Sequence, residues 1–264
     1  MDQMKRFAIY FAPRDGAFAD AAAHWLGWDA RTGQSLAQPD VPGMADLTAA
    51  PRRYGFHGTI KPPFRLADGT TPVALGEAVA TLAASLRAVS VEALAMVRLE
   101  GFLALIPQGD TAALADLAAR VVQGLEAFRA PLTPEDIARR RPETLTPRQR
   151  ELLTAYGYPY VMEEFQFHLT LSGKLDGAEA ALVQQAADQH FAGLLPQPFV
   201  IEDLCLFGED DEGRRRQHRQ KDADDADRHH QPGTAKNEQA HQIPFAGCRR
   251  FDWRYGMIRD RQGF

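Results

Sequence analysis

The stretch Tyr54-Gly55-Phe56-His57-Gly58-Thr59-Ile60-Lys61, halted by Pro62 and Pro63, is matched far downstream by Phe165-Gln166-Phe167-His168-Leu169-Thr170-Leu171-Ser172. In both, an aromatic residue precedes a histidine and a threonine follows it two places later. Side chains alternate between the two faces of a strand, so residues i and i+2 point the same way. His57, Thr59 and Lys61 are therefore expected on one face, with Phe56 and Ile60 on the other. In the second stretch Phe165, Phe167, Leu169 and Leu171 form a continuous apolar face opposite Gln166, His168, Thr170 and Ser172. The apolar faces require helices packed on them. The polar faces require water or a ligand, and that is the shape of a site.

Working outward, Arg6–Ala12 reads as a buried strand ended by Pro13, and Phe18–Trp28 has helical spacing. Ser35–Ala50, rich in Pro, Gly and Asp, reads as loop. Val73–Val89 is an alanine- and leucine-rich helix, and after a strand over Ala95–Ile106 comes the long amphipathic helix Thr111–Phe128. Thr133-Pro134-Glu135-Asp136 and Thr146-Pro147-Arg148-Gln149 are helix starts with threonine as N-cap and proline at the first helical position. Asp176–Phe191 is a helix capped by Asp176, and Phe199–Phe207 a final strand. Strands and helices alternate, which predicts an α+β or α/β sandwich.

Of 264 residues, 45% are hydrophobic and 25% charged, as in an ordinary globular protein. Cys205 and Cys248 form no CxxC pair, so neither a disulfide framework nor a structural zinc site is indicated. No apolar run reaches the roughly 18 residues of a membrane span, and no signal-peptide core follows Lys5 and Arg6. The expectation is a soluble, cytoplasmic, monomeric protein without a membrane partner. The net charge of −5 is unevenly divided: Gly213–Phe264 carries 12 Lys+Arg against 7 Asp+Glu, leaving 18 against 28 in the first 212 residues. So acidic a body is not an obvious nucleic-acid surface, and a phosphate ester would have to be held by local groups against the overall field. Residues 213–264 are read as a charged tail that is disordered or non-native, because Arg214–Gln242 is almost devoid of apolar side chains. Its histidines, His218, His229, His230 and His241, match no metal-ligand spacing.

Phosphate-ester chemistry needs one proton removed and another supplied. Imidazole titrates near neutrality, so a neutral and a protonated histidine can share the work. Thr59 and Thr170 could donate to non-bridging phosphate oxygens, with Lys61 and Gln166 as further substrate-binding candidates. No metal and no cofactor are required. His24 and His190, inside helical stretches, read as structural, and Arg139-Arg140-Arg141 as a solvated helix end. No Walker-type loop, GxGxxG, GxSxG or HExxH occurs. A single His-x-Thr tripeptide is uninformative; two on strand-like segments with matching faces carry the functional reading.

At these two strands the sequence resembles the two-histidine (2H) phosphoesterase superfamily, and longer stretches resemble its branch associated with phosphonate-utilisation operons. These include Arg53–Phe64, Gly157–Val161, Phe165–Gly173 and Asp203–Gly208. The resemblance covers roughly residues 5–213 and implies a bilobal, pseudo-twofold α+β fold over residues 1–212. In it, a central cleft lies between two antiparallel sheets flanked by helices, and each lobe places one HxT strand on the floor. It further implies that His57, Thr59, His168 and Thr170 are catalytic in a metal-independent phosphodiesterase. The substrate would be a small cyclic or 2′,5′-type phosphodiester, with no nucleic-acid partner beyond an RNA-derived substrate. The alternatives are a non-catalytic nucleotide- or RNA-binding protein on the same fold, and a hydrolase in which the histidines hold a metal.

Overall fold

The computed structural model describes residues 4–209 and 215–217. In chain order, strand β1 (Arg6–Phe11) leads into helix α1 (Ala17–Leu26), and the short strands β2 (Trp28–Asp29) and β3 (Gln34–Ser35) pair with each other. Two helical turns, α2 (Met44–Leu47) and α3 (Ala49–Arg52), precede β4 (Gly58–Phe64) and α4 (Pro72–Ser85). Next come β5 (Val89–Val91), the hairpin β6 (Ala93–Leu99) and β7 (Phe102–Gln108), and α5 (Ala112–Gly124). Helices α6 (Pro134–Arg139) and α7 (Pro147–Tyr156) lead to β8 (Leu169–Lys174) and α8 (Gly177–His190). The described chain closes with β9 (Phe199–Ile201), β10 (Cys205–Glu209) and β11 (Arg215–Gln217).

The architecture is mixed α+β. Seven strands form one antiparallel sheet in the order β11-β10-β1-β4-β8-β7-β6, while β5 and β9 pair apart from it. The two separate sheets expected from the resemblance are thus joined, because Gly58 pairs with Leu169 and links β4 to β8. One face of the sheet carries Phe7, Ile9, Ile60, Leu103, Leu105, Leu169 and Leu171, buried in a single core with side chains from α1, α4, α5 and α8. The other face carries a smaller cluster, in which Ala8, Tyr10 and Ala12 meet Trp28, Cys205 and Phe207. Alternation along β1 produces this division directly.

Several local expectations hold for the reasons given. Thr133 and Thr146 both form capping boxes, with Asp136 and Gln149 as the reciprocal partners. Asp176 Oδ1 accepts from the Glu179 backbone amide at 2.8 Å. Others change. The apolar run 95–106 is a hairpin rather than one strand, turned at Glu100 and Gly101, both with positive φ. The polar 35–50 segment contains α2 and α3, and the first long helix after β4 stops at Ser85 so that Val89–Val91 can pair with β9. Within the charged tail, Arg215–Gln217 is paired to β10 as an edge strand. The expectation for the rest of the tail lies outside the described residues. No helix among the described residues is long and apolar enough to cross a membrane.

Candidate functional site

A single residue pair joins the two histidine strands. Gly58 and Leu169 are antiparallel partners where β4 and β8 begin. Carrying that register one residue in each direction sets His57 across from Thr170, and His168 across from Thr59. Directly opposed residues have Cβ atoms about 4.5–5.5 Å apart, and diagonal neighbours lie about 7–8 Å apart. By this register the histidines fall on one diagonal of the quartet and the threonines on the other. All four are half-buried, whereas Phe56, Gly58, Phe167 and Leu169, which alternate with them, are buried. The burial pattern therefore agrees with the parity argument.

Both histidines are held by the same local device. His57 Nδ1 lies 2.8 Å from the Gly55 carbonyl oxygen, and His168 Nδ1 lies 2.9 Å from that of Gln166. A carbonyl only accepts, so Nδ1 carries a proton in each ring and Nε2 holds the lone pair of the neutral form. The second contact differs. Tyr10 stacks on His57 with ring centroids 3.9 Å apart and planes 25° apart, and Phe207 lies 6.4 Å away. His168 meets Phe102 at 5.8 Å, tilted by 53°. Beneath the bridge, Gly58 is required by close approach, since a Cβ there would sit 2.2 Å from Phe167 Cζ.

Of the two further binding candidates, Lys61 is placed elsewhere. It is 1% exposed, and its Nζ donates to the Val122 carbonyl and to Glu126 Oε2, each at 3.0 Å. The β1–β4 register shifts between the pairs Tyr10–Thr59 and Ile9–Lys61, and that irregularity breaks the alternation on which its expected position rested. Burial pushes its ammonium below the ordinary lysine range, with Glu126 opposing. Gln166 is exposed, and it serves the site through its carbonyl. Ser172 is also buried away from the quartet, bridging the Leu103 amide and the Gly173 carbonyl where the β7–β8 register shifts. His24 and His190 bond the carbonyls of Ala37 and Ala21, consistent with structural roles. Tyr10, Gly58 and Phe102 were missed. Tyr10 had a signal: it is the one polar-tipped residue in the apolar run Phe7–Ala12. Among the described residues no group of three or more His, Cys, Asp or Glu is arranged to hold a metal ion.

The quartet can accept an anion, donate hydroxyl hydrogen bonds and move protons at two Nε2 atoms. A family model described as "Protein of unknown function (DUF1045)" matches residues 59–217, from Thr59 through His168 and Thr170 to the end of β11. The chain belongs to this family. Two relatives of this DUF1045 chain are named "Ribose 1,5-bisphosphate phosphokinase PhnN". One, from Janthinobacterium sp. (strain Marseille), is 36% identical over 219 residues, covering 79% of this chain and 48% of the relative. The other, from Laribacter hongkongensis (strain HLHK9), is 35% identical over 211 residues, covering 79% of this chain and 49% of the relative. The DUF1045 chain thus spans about half the length of these curated relatives. Both names are those of phosphokinases. They overturn the phosphodiesterase expected from the paired motifs, and they lend nothing to a non-catalytic nucleotide or RNA binder.

Proposed function

We propose that this chain acts as an enzyme on a phosphorylated ribose in phosphonate metabolism, with the His57–Thr59–His168–Thr170 quartet receiving a phosphate of the sugar. The Gly58–Leu169 bridge carries the reading, because it brings two residues from distant parts of the sequence onto one face with matching anchors. The names of the relatives supply the sugar class. The repeated strand-and-carbonyl device also supports a pseudo-twofold arrangement of the two-histidine kind, one HxT strand from each half.

In this reading the neutral imidazole takes the proton from a sugar hydroxyl as its oxygen bonds to the terminal phosphorus of ATP, the bond from that phosphorus to the β-phosphate oxygen breaks, and ADP leaves. The protonated one donates to a phosphate oxygen, and the threonine hydroxyls hold the remaining oxygens. Ribose 1,5-bisphosphate should bind in calorimetry and be consumed in phosphorus NMR when ATP is supplied as phosphoryl donor. His57→Ala and His168→Ala should each slow consumption by at least ~10²-fold. Unchanged binding and turnover in both variants would refute the assignment.

A further inference from the structure

Although the body of the protein is acidic, five arginines gather around one open cavity at the far end of β4: Arg6, Arg65, Arg129, Arg139 and Arg140. Asp136 is the one carboxylate in its lining. Arg65 reaches Asp136 at 2.7 Å and Arg139 reaches it at 3.4 Å, while Arg6 pairs with Glu209 at 2.6 Å. Arg129 pairs with Glu126 at 2.7 Å, but Glu126 already holds the buried Lys61. Six cations therefore face three directly paired carboxylates, and the exposed Glu135, which also feels Arg139, adds a fourth. Glu100, which acts on Tyr158 together with Arg140, adds a fifth, so among these groups one positive charge is left over. The Arg140 guanidinium carbon lies 4.6 Å from the centre of the Tyr158 ring, and no carboxylate among the described residues ion-pairs with Arg140. That contact pre-orients its planar fork of donors, the geometry that suits a phosphate.

We infer that this cavity binds a diphosphate group, free or carried by a nucleotide. Like charges packed together repel, and an anion held among the arginine forks relieves that repulsion. The cavity is distinct from the histidine quartet: none of His57, Thr59, His168 and Thr170 lines it, and its arginines lie beyond the proline end of β4. The inference therefore stands or falls independently of the function proposed above.

Calorimetry of the full chain at low salt with inorganic pyrophosphate, ADP and adenosine tests it. Pyrophosphate and ADP should bind and adenosine should not, with ADP the tighter if the source is a nucleotide. The double variant Arg139→Ala/Arg140→Ala should weaken both by at least ~10-fold, whereas His57→Ala/His168→Ala should leave them unchanged. Arg139 is exposed and Arg140 half-buried at a helix end. Should the double variant unfold, Arg140→Gln alone carries the same expectation. Failure of either diphosphate to bind, sulfate binding as tightly, equal affinity in the arginine variant, or loss in the histidine variant would overturn the inference.

Discussion

The two histidine strands share one device and differ in how it is supported. On β4, His57 is pressed against Tyr10, the next residue is glycine, and the strand soon slips register and buries Lys61 beneath α5. On β8, His168 has a looser aromatic neighbour, the next residue is the buried Leu169, and the slip in register comes later, against β7 at Ser172. The carbonyl bond to Nδ1 is common to both, so it belongs to the site. The walls differ, so they belong to each strand's own packing. A repeated chemical motif need not have repeated surroundings.

The comparison breaks first if the histidines are unequal in effect. Both alanine variants should lose comparable activity, and a large loss in only one would mean that a single imidazole acts. The next largest effect concerns β4 alone. Glu126→Gln leaves the Lys61 ammonium buried without its carboxylate, a change that costs about 3–5 kcal/mol when a pair is fully buried. Here the lower end is expected, because the Glu126 side chain is 25% exposed. The folded-state pKa of Lys61 lies below that of the unfolded chain, near 10.5. Between the two values the unfolded chain binds more protons, so the stability contributed by this group rises with pH. Urea denaturation should show the Glu126→Gln deficit shrinking through that alkaline window, and Lys61→Met should lack the rise.

Gly58→Ala should follow, at about 1–3 kcal/mol, typical of forced overpacking. It should also lower the rate by moving Phe167 and with it His168; a variant of native stability and activity would show that the glycine is dispensable. The smallest effect sharpens the contrast of walls. Tyr10→Leu removes a stacked pair worth about 0.5–1.5 kcal/mol beyond burial, and Phe102→Leu should cost less by thermal denaturation.

Much of this was legible in local pattern. The alternation in Phe165–Leu171 identified the buried side of β8, and the threonine caps at Thr133 and Thr146 were readable because capping is a contact within one turn. What escaped depended on partners far away in sequence. The Lys61 position turned on a register shift against β1, and Ser172 on a shift against β7. The hairpin at Glu100-Gly101 was hidden because its two strands are apolar enough to read as one. The arginine cavity was seen only as a basic helix end, since Arg6 and Arg65 reach it from other elements.

Where the two central strands touch, no ladder continues on either side to keep them at a set separation. Their gauge is instead set from the core side, by the Phe167 ring lodged under Gly58 and by the Trp25 indole, whose Nε1 donates to the Leu171 carbonyl at 2.8 Å. The span between the two imidazoles is thus calibrated by hydrophobic residues that no substrate ever meets, and drift in that hidden layer would detune the site without altering any residue in it.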